Sequence, residues 1–217
     1  MSVRHPAAAL RRQPSPRLRG KRVVLRPLAP SDFDTWREVR LHNEAWLVPW
    51  EPRRPASLPD PTRDRHAYEA RCSARERERA TDHAYPFGLF LGGAPGADGL
   101  RLIGEVNINN VTRGALQSAT IGYWVDQRHA GHAYVAEGVV VAMRYAFEQL
   151  GLHRLEICIV PRNTNSRRVM EKLDVREEGV ALRFLEIAGT WEDHVRYGIT
   201  VEEWGVRRAE LGATWLD

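Results

Sequence analysis

The sequence predicts an α/β fold: a single domain with a mixed central β-sheet and helices on both faces. Three observations carry this. Residues 116–160 read as strand, helix, strand, and such a unit places its two strands parallel in a right-handed crossover. Apolar, β-branched segments around Gly-rich turns flank that unit and read as hairpins, which add antiparallel neighbours. The 217 residues are 43% hydrophobic, with seven Trp, six Tyr and five Phe, enough for one sizeable core and too apolar for a chain disordered throughout.

The elements follow in order. Residues 1–19 are rich in Pro and Arg and are expected to form a disordered basic tail, leaving 20–217 as the folded domain. KRVVLRPL (21–28) is the first strand. Ser31 is placed to cap a helix carrying Phe33, Trp36, Val39 and Leu41 at roughly helical spacing. WLVPWEP (46–52) is Pro-broken and aromatic, an ordered loop. Residues 63–80 alternate Arg and Glu, the pattern of a solvated helix. AYPFGLFL (84–91) and LRLIGEVNINNV (100–111) form a hairpin, and after the turn at 112–115 comes a strand at 116–125. The apolar positions from Val135 to Leu150 define a helix over 133–150 that Gly151 stops. A strand follows at 152–160, a short helix at 164–173, and a closing hairpin from 175–187 and 191–201.

Composition excludes several classes. No run approaches the ~20 apolar residues that cross a bilayer, and the Arg-containing start lacks the apolar centre of a secretory signal. Cys72 and Cys158 stand 86 positions apart without a C-x-x-C, which argues against a disulfide framework or zinc site and points to a reducing cytoplasm. The net charge of +4 suggests nucleic acid until it is located. Arg4, Arg11, Arg12, Arg17 and Arg19 sit in the tail, leaving 27 Lys and Arg against 28 Asp and Glu. The folded part is nearly neutral, so no direct DNA binding is expected.

Three segments carry residues suited to chemistry. In GYWVDQRHAGHAYVAEG a strand ends at Val125 and a helix begins near Ala133, joined through Arg128-x-x-Gly131-x-Ala133. Small residues let main-chain N–H groups approach a ligand, and those at a helix start attract phosphate. An ordinary strand-to-helix turn explains the string equally well. The pattern recurs at Arg176–Ala181, where Glu177 and Glu178 would repel phosphate and no helix opens, so that match is rejected. In VPRNTNSRRVMEKLDV, helix capping accounts for Asn163 and in part for Ser166; the alternative has Asn163 on a polar ligand and Ser166 delivering a proton. In LEIAGTWEDHV, Glu186, Trp191, Asp193 and His194 surround a tight hairpin, either as a surface turn or as groups beside a nucleophile's proton. There is no G-x-x-x-x-G-K-[ST], G-x-S-x-G or H-E-x-x-H, and His129 and His132 lack further ligands, so no metal is expected.

The order of these pieces resembles the GNAT acyltransferase superfamily, in particular the RimJ/RimL-type ribosomal-protein N-terminal acetyltransferases and above all their RimJ-type branch. The matching strings, spread over about residues 20–202, are VVLRPL, LVPWEP, NNVTRG, IGYWV before R-x-x-G-x-A, LGLHRLE, N-x-x-S and GTWEDHV. The resemblance implies acetyl-CoA as cosubstrate and parallel strands that splay, often beside a β-bulge, to admit the pantetheine arm. It implies that the backbone of Tyr123, Trp124 and Val125 pairs with the arm. His129, Ala130, Gly131, His132, Ala133 and Tyr134 would hold the pyrophosphate, Asn163 would bond the arm, and Ser166 would protonate the departing thiolate. Glu186 aligns with a carboxylate that acts through water in RimL-type members only after a one-residue insertion.

The acceptor groove is expected from Trp50, Glu51, Asn107, Asn109, Trp191 and Asp193. Trp50 either packs in the core or covers the first substrate residue; Glu51 either closes a turn or attracts an ammonium. The implied activity is acetyl transfer to the N-terminal α-amine of a protein, by direct attack in a ternary complex. Acetylation of a small amine and a non-catalytic acyl-CoA sensor are the alternatives. The basic tail is read as a solvated extension, with contact to a ribosome as the alternative. Two departures stand out. The turn between Val125 and Arg128 is two residues shorter than in many relatives, and Asp174-Val175 replaces a Gly-aromatic pair, which predicts strain where the short helix ends.

Overall fold

The computed structural model describes residues 16–92 and 99–216. Its strands are β1 (Leu18–Arg19), β2 (Val23–Arg26), β3 (Tyr85–Gly92), β4 (Leu100–Thr112), β5 (Ser118–Val125), β6 (Arg154–Ile159), β7 (Arg176–Ile187) and β8 (Thr190–Thr200). Its helices are α1 (Phe33–His42), α2 (Glu44–Leu47), α3 (Arg65–Ala80), α4 (Tyr134–Glu148), α5 (Thr164–Lys172) and α6 (Val201–Trp215). The strands form one sheet in the order β1-β2-β3-β4-β5-β6-β8-β7. Every neighbouring pair is antiparallel except β5 and β6, which α4 joins in parallel. This is the single mixed α/β domain that the sequence predicts.

Each face of the sheet has its own core. Helix α4 is apolar almost all round, and Val135, Val139, Val140, Ala142 and Met143 pack with Leu25, Leu89, Val106, Leu155 and Ile157. Met170 of α5 and Trp204 of α6 join that layer. On the other face Phe33 and Trp36 of α1 and Tyr68 and Cys72 of α3 cover Val24, Phe90 and Leu102. Each such large side chain removed from water contributes ~2 kcal/mol. Gly104 on β4 is required by close approach: a Cβ there would strike the carbonyl of Trp124.

Several elements differ from the reading of the sequence. Ser31 lies inside a 3-10 turn, Pro30–Asp32, and Asp32 rather than Ser31 precedes α1. WLVPWEP is helical through α2 and a 3-10 turn at Val48–Trp50. Helix α3 is not merely solvated: it buries Tyr68 and Cys72 and aims Arg71 and Arg75 at Glu105 of β4. Helix α6 was not anticipated, because Gly205 and Gly212 interrupt its sequence; the available signal was the Thr200-x-x-Glu203 capping box, which forms. Leu18 and Arg19, assigned to the tail, pair with β2, while residues 1–15 lie outside the described residues.

Candidate active site

The site begins where the parallel pair opens. β5 and β6 pair only at Ser118↔Arg154, Ala119↔Leu155 and Thr120↔Glu156. Beyond these, β5 stays on β4 through Gly104↔Val125, whereas β6 stays on β8 through Ile159↔Val195, so a gap opens between the strands. Asp126 N–H donates to the Ile103 carbonyl across β4. Strand alternation therefore turns the amides of Tyr123 and Val125 toward the gap. The expected bulge exists in β4 between Asn109 and Thr112, beside the paired end of β5 rather than along the gap.

The turn after β5 is closed by a buried carboxylate. Asp126 accepts from the Arg128 amide (3.1 Å), from its guanidinium (2.7 Å) and from Asn43 Nδ2 (3.0 Å), while Asn43 Oδ1 accepts from the Gln127 amide. Burial pushes the Asp126 carboxyl up, but these hydrogen bonds outweigh it and hold it at about 2. A 3-10 turn at Gln127–His129 is thus stapled to the end of α1. Gly131 and Ala133 then adopt φ of +80° and +62°, and α4 starts at Tyr134 with no side-chain cap. Its first amides are left for an anion. His132 stacks on Tyr134, Arg22 lies over the same ring, and Arg22 donates to Glu137, which is buried on α4 and also accepts from the Val23 amide. Asn43 and Glu137 were missed in the sequence because nothing local marks their partners, 83 to 115 positions away, and Asp126 because only its neighbour Arg128 is local while Asn43 is 83 positions away.

On the other wall, Asn163 caps α5 by accepting from the Ser166 amide at 3.1 Å. The Ser166 hydroxyl donates to the Tyr123 hydroxyl at 2.9 Å, and Tyr123 donates to the Ser166 carbonyl at 3.2 Å. Burial pushes the Tyr123 phenol up, so it keeps its proton at neutral pH.

The opposite face of the gap carries Trp124. The Arg40 guanidinium lies over its ring and grips Glu51 bidentately at 2.7 Å. The Glu51 carbonyl accepts from Ala188 N–H at the β7–β8 turn. Trp50 lies beneath Arg162, which also binds Glu192 at 2.7 Å. Trp50, Glu51 and the hairpin are therefore brought together. Asn107 belongs instead to the cluster of Glu105, Arg71 and Arg75, accepting from Arg75 and from the Phe87 amide. Asn109 is half-buried at the β4 bulge, Asp193 accepts from the Arg183 amide in β7, and Trp191 and Glu186 are exposed side chains at the hairpin. Glu105, unmarked in the sequence, is 1% exposed; burial pushes its carboxyl up, and the charges of Arg71 and Arg75 with the Trp36 hydrogen bond overcome this and hold it at about 2.

A gap edged by outward-facing amides, leading to an uncapped helix start, fits a cosubstrate with an amide-bearing arm and a pyrophosphate. Among the described residues no cluster of His, Cys, Asp and Glu suits a metal ion, and no helix is long and apolar enough to cross a membrane.

Comparison with known proteins agrees with this geometry. Residues 22–176 match the family described as "Acetyltransferase (GNAT) domain". The chain is 34% identical over 177 residues to the probable N-acetyltransferase YjcK of Bacillus subtilis, covering 82% of this chain and 93% of that protein. It is 31% identical over 193 residues to the [ribosomal protein uS5]-alanine N-acetyltransferase of Escherichia coli, covering 88% and 94%. The solved structure of Mycobacterium smegmatis RimJ in complex with CoA-disulfide superposes with a TM-score of 0.79 at 33% identity, covering 92% of this chain and 93% of that one. The chain belongs to the GNAT acetyltransferase family, as an N-acetyltransferase whose acyl donor is acetyl-CoA.

Proposed function

We propose that this N-acetyltransferase acts on the N-terminal α-amine of a protein, with a ribosomal protein as the leading substrate class. The observation that carries the reading is the state of the carboxylates around Trp124. Glu105 is locked between Arg71 and Arg75 and held at about 2, and Glu51 is locked on Arg40. Glu105 is therefore a weak base, and the Glu51 carboxylate is engaged by Arg40. An α-amine of pKa ~7.8 is roughly 14% neutral at pH 7, whereas a Lys amine of ~10.4 is roughly 0.04% neutral. Carboxylates held by arginines in this way suit the former. The Escherichia coli relative, named for acting on an alanine of uS5, supports the same class.

In this reading the residues divide the work. The amides of residues 131–134 and the start of α4 take the pyrophosphate, and the gap-facing backbone of β5 takes the arm. A main-chain N–H of β5 stabilises the carbonyl oxygen as charge develops, a donor typically worth ~3 kcal/mol. The amine attacks directly in a ternary complex, and Ser166 gives its proton to the thiolate. Trp50, Glu51 and the 188–192 hairpin form the acceptor wall.

The test measures CoA release and locates the acetyl group by mass spectrometry. Peptides starting with Ala, Ser or Met are compared with N-terminally blocked Lys peptides and with polyamines and amino acids. Turnover confined to free α-amine peptides is expected. Turnover confined to small amines would overturn the substrate class, and tight acetyl-CoA binding without turnover on any amine would make the chain a sensor.

A further inference from the structure

We propose that Tyr123 is a positioning residue for thiolate protonation, acting through its hydroxyl on Ser166. This rests on the acetyl-transfer mechanism above, and it gives a task to a side chain whose backbone alone was expected to serve the cosubstrate.

The geometry is the starting point. Tyr123 lies on β5 in the unpaired half of the gap, and Ser166 lies in the first turn of α5 beyond β6. Their hydroxyls meet at 2.9 Å, bridging the two walls. Purely structural bracing would not need that contact, because the phenol already donates to the Ser166 carbonyl at 3.2 Å. The Asn163 cap fixes the Ser166 backbone independently. The hydroxyl–hydroxyl bond instead sets where the serine proton points.

The chemistry explains the need. A serine hydroxyl that gives up its proton must regain one at once, since the alkoxide is far more basic than the thiolate it has just served. A phenol, ordinarily near ~10, is the side-chain hydroxyl closest in acidity to a thiol near ~8.5. Burial pushes the Tyr123 phenol above that ordinary value, which makes it a weaker acid than a free phenol but keeps it protonated before each turnover. Hydroxyl hydrogens rotate freely between partners. When Ser166 turns its hydrogen toward the sulfur, its lone pair faces the Tyr123 O–H.

The proton balance closes. The Ser166 O–H bond breaks as the S–H bond of CoA forms. The Tyr123 O–H bond breaks as the Ser166 O–H bond re-forms. The phenolate then takes up, through solvent, the proton that the amine nitrogen loses on becoming an amide. Amine and thioester give amide and thiol, with no net change in the protein.

The experiment uses the full chain with Tyr123→Phe, Ser166→Ala and the double variant. Tyr123→Phe keeps the ring and removes one oxygen. Its kcat is expected to fall about tenfold, with the acetyl-CoA Kd by calorimetry and the melting temperature close to the parent's. The double variant is expected to be no slower than Ser166→Ala alone, because Tyr123 acts only through Ser166. A second readout needs no turnover: the ratio of affinities for CoA and desulfo-CoA at pH 9, where the thiol is largely ionised. That preference is expected to fall in both single variants. Parental kcat and parental CoA preference in Tyr123→Phe would overturn the proposal, as would losses that multiply in the double variant. A parent chain that acetylates no amine would instead sink the transfer reading, and the CoA preference would still decide whether Tyr123 acts through Ser166.

Discussion

Replacing Glu105 by Gln removes a negative charge from the middle of the sheet while keeping the side chain's shape. The carboxylate is 1% exposed and receives Trp36 Nε1 at 2.8 Å, Arg71 at 2.7 and 2.9 Å, and Arg75 at 2.9 Å. The gap between its ordinary 4.5 and about 2 corresponds to roughly 3 kcal/mol at 1.36 kcal/mol per pH unit. Because the folded value is the lower one, this stability is present in full above pH 4.5 and is lost as the pH falls toward 2. Gln imitates the protonated acid, so Glu105→Gln should cost about 3 kcal/mol at pH 7. The cost rises toward ~5 if Arg71, whose Nη1 is already buried without a hydrogen-bond partner, is left uncompensated. Urea unfolding of both proteins at pH 7 and pH 3 measures this, and linkage predicts a difference of only ~1 kcal/mol at pH 3. A difference below ~1 kcal/mol at pH 7, or one that does not change with pH, refutes the electrostatic account. Folded Glu105→Gln should also keep kcat within a few-fold of the parent. A thousandfold loss with unchanged stability would make Glu105 the general base.

Two further outcomes follow from backbone geometry. Asp174 sits at φ +48° just past α5 with its side chain in solvent, so Asp174→Gly should stabilise by ~1 kcal/mol, read as a rise of ~2–4 °C in Tm; an unchanged or lower Tm would show that this turn carries no strain. Ala133 holds φ +62° ahead of α4, a conformation that β-branched residues resist by ~1–2 kcal/mol, so if the start of α4 takes the pyrophosphate as proposed, Ala133→Val should weaken acetyl-CoA binding about tenfold in calorimetry; parental affinity would refute that role for this left-handed residue.

The element order was readable along most of the chain, and the places where it was not have identifiable causes. β3 to β8 and helices α4 and α5 follow local periodicity, and each falls within two residues of its expected range. Helix α6 was hidden because two glycines and a mixed face dilute its pattern, although Trp204 and Leu211 stand one heptad apart and both are buried. The Arg/Glu alternation of α3 reads as solvated because local sequence cannot show that Arg71 and Arg75 face a carboxylate 34 and 30 positions away. Among the candidate site residues, Tyr123, Asn163 and Ser166 meet across the gap, and Trp50 and Glu51 meet the hairpin. Of the residues expected in the acceptor groove, Asn107 Oδ1 accepts from the Phe87 amide and from Arg75, and Asp193 Oδ1 accepts from the Arg183 amide.

Sequence alone determined the alternation of strands and helices, the small residues of the turn before α4 and the polar opening of α5. These are properties of consecutive residues, written in the spacing of apolar side chains and in the few residue types that tolerate a tight turn. Only the tertiary structure decided that β5 and β6 part after Thr120 and Glu156, that Glu105 and Asp126 stay ionised when buried, and that Tyr123 reaches Ser166. Each of these depends on which distant segment returns to lie alongside, and the energy of a charge or a hydroxyl is set by those neighbours rather than by its own place in the chain.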